Sequence, residues 1–218
     1  MVNVMDGLHR LVEAGGSTAQ APGAARDRLP GASAAAGEVV VLLLVDIKPA
    51  SRLWGFSRLV RGTAPLRNQP GLKFAKVLGS GRDGGFGVQP SASRQGLFTV
   101  FDSEASADRY IADSDIVRGY RERSGDCCVL KLRAYSCRGS WSGTSLAVST
   151  QAPASGPIAA LTRASIRPRK AFEFWPLADP AQVSLEAAKG CRLAVGLGEA
   201  PLLRQATFSV WDLSLIHI

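Results

Sequence analysis

Histidine is nearly missing from this sequence. Two occur in 218 residues, His9 and His217, and positions 39–212 hold none. Histidine-based acid–base or nucleophile-activating chemistry is thereby excluded from that stretch. Cysteine is scarce as well: Cys127, Cys128, Cys137 and Cys191. No two stand in CxxC spacing, and the adjacent Cys127 and Cys128 point to opposite sides of a strand. Neither a paired-cysteine zinc site nor a disulfide scaffold fits this pattern, and a reducing compartment does. Long apolar runs are lacking too. The longest, Val39–Val45, has seven residues, against the roughly 20 that a membrane helix needs. No basic stretch followed by an apolar run opens the chain, so no signal peptide is read and the cytoplasm is the expected location. Peripheral contact with a membrane is compatible with this. Runs of four Lys or Arg do not occur despite a net charge of +8. Nothing reads as a helix-turn-helix, a zinc finger or an aromatic RNA platform, so nucleic acid is not an expected partner.

Hydrophobic residues make up 46% of the chain and charged residues 20%, a globular balance. Residues 1–38 are small and polar with little to pack, and read as a flexible leader. The apolar Val39–Val45 run is a buried strand. Leu53, Trp54, Phe56, Leu59 and Val60 mark a helix face. Strands follow at Leu72–Leu78 and Leu97–Phe101. Ser103 then caps a helix with Glu104 in its first turn, Ile116–Tyr120 continues or repeats it, and Val129–Tyr135 is a fourth strand. This β-α-β-β-α-β order is ferredoxin-like.

The order then restarts, with a strand at Ile158–Ile166, a helical stretch over Phe172–Lys189 broken at Pro176 and Pro180, and strands at Leu193–Leu197 and Ala206–Trp211. The expected fold is α+β: tandem ferredoxin-like units packed sheet to sheet in a dimeric α+β barrel-like body, the second unit incomplete. The units are placed at 39–136 and 158–212, joined by a linker at 137–157. The apolar 213–218 tail is expected to be non-native.

The glycine-rich stretch Gly79–Gly87 lacks phosphate-loop spacing and lies between two strands, so it has no helix N-terminus to offer an anion. It reads as a plain connection or as a loop over a pocket entrance. Asp46 and Glu199 are isolated acids without an acidic partner. Three segments are more distinctive: Arg138–Gly143 (RGSWSG), Gly156–Pro168 (GPIAALTRASIRP) and Gly196–Trp211 (GLGEAPLLRQATFSVW). Each joins glycine turns, an arginine and a large apolar wall.

These three segments, with Arg52-Leu53-Trp54, Pro70-Gly71-Leu72 and Gly79-Ser80-Gly81, resemble the spheroidene monooxygenase family over residues 39–212, as a C-terminally truncated member. The resemblance implies an enzyme that uses molecular oxygen and an electron donor to place a keto group near the end of an acyclic carotenoid. It also implies a haem cofactor. Under that implication Arg138, Arg163, Arg167 and Arg204 are candidates to pair with haem propionates, and Trp141, Phe208 and Trp211 are candidate walls of the polyene pocket. No iron ligand and no catalytic residue is assigned. Cys137 and Cys191 are weak thiolate candidates, and Tyr110, Tyr120 and Tyr135 are the phenols available. Two other readings stand beside this one: a non-catalytic ligand-binding or assembly domain of the same fold, and a basic RNA binder of ferredoxin-like topology.

Overall fold

The structure, a computed structural model, describes residues 37–148, 153, 155–200 and 204–212. The expectations for most of the leader and for the 213–218 tail fall outside the described residues. Twelve helices and strands organise the rest: β1 (Val39–Ile47), α1 (Arg52–Arg61), β2 (Leu72–Gly81), β3 (Pro90–Phe101), α2 (Glu104–Asp113), α3 (Asp115–Arg123), β4 (Ser124–Leu132), β5 (Pro157–Ser165), α4 (Ala171–Phe174), α5 (Ala178–Glu186), β6 (Cys191–Ala200) and β7 (Arg204–Asp212).

All seven strands join one antiparallel sheet in the order β4-β1-β3-β2-β6-β7-β5. β1 is buried on both sides, as an unbroken Val/Leu run requires. Its alternate residues go to two different cores. Val41, Leu43 and Val45 face the helices, where Ala107, Tyr110, Val117 and Tyr120 complete a closed cluster. Val40, Leu42 and Leu44 face the other way, into a cluster that runs across both halves of the sheet through Phe98, Leu78, Val195, Leu197 and Phe208. The helices begin where their caps say. The Ser103 hydroxyl accepts from Ser106 N at 3.3 Å, and the Ser114 hydroxyl accepts from Ile116 N at 3.2 Å, which splits α2 from α3.

The expected tandem barrel-like body is not found. The two halves meet edge to edge, not face to face, and β4 and β5 lie at the two ends of the strand order, so the sheet stays open. The junction is a short β2–β6 ladder with Gly79 opposite Gly198 and Ser80 opposite Leu197. The Ser80 hydroxyl reinforces it by donating to Gly196 O at 2.7 Å. Element order alone does not say which strand edges will pair, and the face-to-face expectation went wrong at that step.

Two local readings shift. The fourth strand is Ser124–Leu132 and not Val129–Tyr135, because α3 runs straight into it at Ser124. Pro180 does not break a helix. It lies in the first turn of α5, where a missing N–H costs nothing, while Pro176 sits in a 3-10 turn before it.

The glycine-rich connection also has a structural account. A Cβ on Gly81 would stand 2.2 Å from Gly85 O, and one on Gly196 would stand 2.3 Å from the same atom. The loop is therefore pressed backbone to backbone onto β6, and Phe86 N donates to Gln182 Oε1 of α5 at 2.9 Å. It forms no part of the cavity described below. No helix among the described residues is long and apolar enough to cross a membrane.

Candidate functional site

On the helix-free side of the sheet, residues 133–148 leave β4 and cross back over the apolar face. The register places Lys76 opposite Phe98 and Phe74 opposite Val100, so Phe74, Lys76 and Phe98 share this face. Trp141 comes down onto them from the crossing segment. Its ring lies 5.5 Å from Phe74 and 5.1 Å from Phe98, centroid to centroid, in tilted arrangements. The segment turns tightly here: Trp141 and Thr144 exchange both backbone hydrogen bonds, and Ser142 and Gly143 take positive φ. The RGSWSG motif is thus a turn that presents Trp141 inward.

A single carboxylate holds this tryptophan. Glu199, on β6, has a side chain only 11% exposed. Its Oε1 accepts from Trp141 Nε1 at 2.5 Å and from Arg163 Nε at 3.2 Å, while Lys76 Nζ lies 2.8 Å from Oε2. Arg163 also stacks over the Trp141 ring at 5.3 Å and donates to Ser140 O at 3.3 Å. Lys76 donates to Ser142 Oγ at 2.9 Å. Burial disfavours the Glu199 carboxylate, but the Lys76, Trp141 and Arg163 donors outweigh that cost and hold its carboxyl below the usual range. Strands β2, β5 and β6 and the crossing segment are tied at one point.

Beside this knot lies a cavity of about 860 Å³. Its floor is apolar, with Val40, Phe74, Phe98, Leu161 and Phe208, and Trp141 and Leu146 close it from above. Its rim is basic. Lys131 and Arg133 line it beside Glu104, which pairs with both. The volume falls within the roughly 300–1,000 Å³ of small-molecule pockets, and an apolar lining with few polar groups is their usual character.

The residues singled out in the sequence divide. Trp141, Phe208, Arg138 and Arg163 line the cavity. Trp211 does not. It follows the Ser209 side of β7, with its Nε1 donating to Ser209 Oγ at 2.8 Å, while Phe208 faces the cavity. Arg167 lies beyond the end of β5 and Arg204 at the start of β7, exposed and outside the cavity. Sequence reading passed over Phe74, Lys76 and Phe98 as site residues, and it noted Glu199 only as an isolated acid. The available signal was Glu199 itself, a charge inside the strand-forming Leu193–Ala200 stretch, and the Phe74/Lys76 alternation on β2.

No family model matches the chain. It is 56% identical to a spheroidene monooxygenase of Rubrivivax gelatinosus over 206 residues, covering 94% of this chain and 80% of the relative. It is 32% identical to a spheroidene monooxygenase of Rhodobacter capsulatus over 161 residues, 72% of this chain and 67% of the relative. Among solved structures it is similar to SnoaB of Streptomyces nogalater, a cofactor-independent oxygenase, at 19% identity and a TM-score of 0.33, covering 46% of this chain and 96% of that one. An anthrone oxidase-like protein is similar at 14% identity and a TM-score of 0.35, covering 82% and 74%.

The haem expectation does not stand. The residues of this chain offer little to hold the group. The described residues contain no histidine, a common axial ligand of haem iron. Burial pushes the Cys127, Cys128 and Cys191 thiols up, away from the thiolate form. Tyr110 and Tyr120 are buried in the helix-side core, on the other face of the sheet from the cavity, with their phenols also pushed up by burial. Of the thiol and phenol candidates only Tyr135 and Cys137 line the cavity, both on the crossing segment. The four arginines do not gather around one group: Arg163 is committed to Glu199, and Arg167 and Arg204 lie outside the cavity.

Proposed function

The chain belongs to the spheroidene monooxygenase family and is therefore a monooxygenase; from that premise we propose that it places a keto group on an acyclic carotenoid whose end lies in the cavity under Trp141. The observation that carries this reading is the join of a large apolar cavity to a carboxylate-locked aromatic wall. A polyene offers no hydrogen-bonding group along its length, so shape and apolar contact must position it. Phe74, Phe98, Phe208 and Trp141 supply such a wall. The Glu199 knot fixes Trp141 with no loose rotamer to lose on binding, and pre-organisation of this kind limits the entropic cost of ordering the site.

As a monooxygenase it would reach the ketone by two successive insertions, through a hydroxyl and then a gem-diol that loses water. Each insertion consumes one O2, two electrons and two protons and releases one water, so an electron donor is part of the proposal. So is contact with the membrane in which such a substrate dissolves. The test supplies an acyclic carotenoid, isotopically labelled oxygen and a reductant to the purified protein and looks for label in a keto product. Trp141→Ala should lower turnover at least tenfold. Absence of a labelled product from the parent protein would overturn the proposal.

A further inference from the structure

Helix α1 is only half used by the fold. Its inner side buries Gly55 and Arg58, with the Arg58 guanidinium 5.8 Å from the Trp54 ring and 5.9 Å from that of Tyr120. Its outer side carries Leu53 at 88%, Phe56 at 64% and Val60 at 71% exposure. These positions are spaced i, i+3 and i+7, so they form one apolar stripe along the helix. Isolated exposed leucines need no explanation, but an aligned Leu, Phe and Val on a single short helix does.

The helix and the turns that flank it carry charge of one sign. Between Asp46 and Asp83 the sequence contains no acidic residue, while eight lysines and arginines fall in that interval. Lys48, Arg52, Arg61 and Arg67 are exposed around the helix and the turn after it. Among the described residues no acid pairs with Arg52, Arg61 or Arg67. The Lys48 ammonium donates to the backbone carbonyl of Glu122 at 3.0 Å and, among the described residues, to no carboxylate.

We propose that the outer face of α1 is a docking surface for an anionic lipid bilayer, with Leu53, Phe56 and Val60 entering the headgroup boundary and Arg52, Arg61, Arg67 and Lys48 meeting the lipid phosphates. A basic rim around an apolar stripe is the pattern that lies in the plane of a membrane interface, and the exposed acid beside it, Glu122, is paired with Arg123. A second copy of this chain would bring the same cations against one another, which the charge disfavours. The surface lies on the helical side of the sheet, so docking leaves the cavity on the opposite face uncovered. The stripe and its basic rim do not depend on the oxidation proposed for the cavity, although they would supply the membrane contact named there.

The test is co-sedimentation of the full chain with vesicles of phosphatidylglycerol and phosphatidylcholine, and with phosphatidylcholine alone. Binding should follow the anionic fraction and weaken with salt. Phe56→Glu and the pair Arg52→Glu with Arg61→Glu should each lower the partition coefficient at least tenfold, and Val183→Glu, an exposed position on α5, should leave it unchanged. Thermal unfolding of each variant shows that the exposed substitutions leave the fold intact. Equal binding by parent and Phe56→Glu overturns the inference. So does a parent that ignores the vesicles and is a dimer that Phe56→Glu dissociates, since the stripe is then a contact between copies. Keto-product formation in detergent is measured alongside. If it persists while vesicle binding fails, only the docking surface is lost.

Discussion

Glu199 shows how much one side chain can be asked to do. Alone in the sequence it is an acid without an acidic partner, which argues against carboxylate-pair chemistry. In the fold it has three donors from three different segments, and its work is to hold Trp141. Glu199→Gln keeps an acceptor but removes the charge facing Lys76 and Arg163. Charge-assisted hydrogen bonds at a largely buried position are worth more than neutral ones, so the expected loss is about 1–3 kcal/mol. The parent also has a distinctive acid limb. Its folded carboxyl sits below the ordinary value, so this stabilisation is present above the unfolded carboxylate pKa and is lost as pH falls through the depressed one. Thermal unfolding against pH should show that limb shrink in Glu199→Gln. Identical curves would mean that the knot contributes nothing. At Gly196 the residue scale gives a steric prediction. A Cβ there would meet Gly85 O at 2.3 Å, a backbone atom that cannot rotate away. Gly196→Ala should cost about 1–3 kcal/mol as overpacking, read as a lower urea midpoint. The GLGE motif thus carries two separate demands, one steric and one electrostatic, and the sequence did not separate them.

Elements were more legible than the roles of their residues. β1 was visible because seven consecutive Val and Leu residues have no other stable home, and α2 because Ser103 and Glu104 are a start signal. The segment 133–148 was not legible. It was split between a fourth strand and a linker, because neither alternation nor helical period marks an irregular segment held by side chains. Its anchor is Trp141, packed on Phe74 and Phe98 and bonded to Glu199. Trp141→Ala removes both attachments. Trp141 is partly exposed, so the global cost should be about 1–3 kcal/mol, below the ~3–5 kcal/mol of a fully buried aromatic. The local effect should be larger: limited proteolysis is expected to cut within 133–148 several-fold faster than in the parent. Unchanged cleavage there would show that the segment is held by something other than its tryptophan.

Over the whole molecule, the order of elements was readable and their assembly was not. Two runs of strands separated by an irregular stretch are compatible with sheets packed face to face or joined edge to edge. The choice was made by small residues, with Gly79 opposite Gly198 and Ser80 reaching Gly196 O. The halves are unequally protected. β1 and β3 are central strands with a core on both faces, closed on the helical side by Tyr110, Tyr120 and Phe101. The second half has α5 over β6, where Ala178 is the buried residue and Val183 is 65% exposed, and β5 lies at the end of the strand order. Local opening free energy follows buried apolar contact and strand position, so protection should fall from the first half to the second. Hydrogen exchange followed by mass spectrometry should find peptides over Val41–Leu44 and Leu97–Val100 exchanging slowest, and peptides over Ile158–Thr162 exchanging at least tenfold faster, with β6 and β7 between them. The apolar cluster shared across the sheet, Leu42 and Phe98 with Val195 and Phe208, works against this gradient by coupling the halves. If that coupling dominates, all these peptides will exchange together at the global unfolding rate, and the junction at Ser80 and Leu197 will prove no weaker than the ladders within each half.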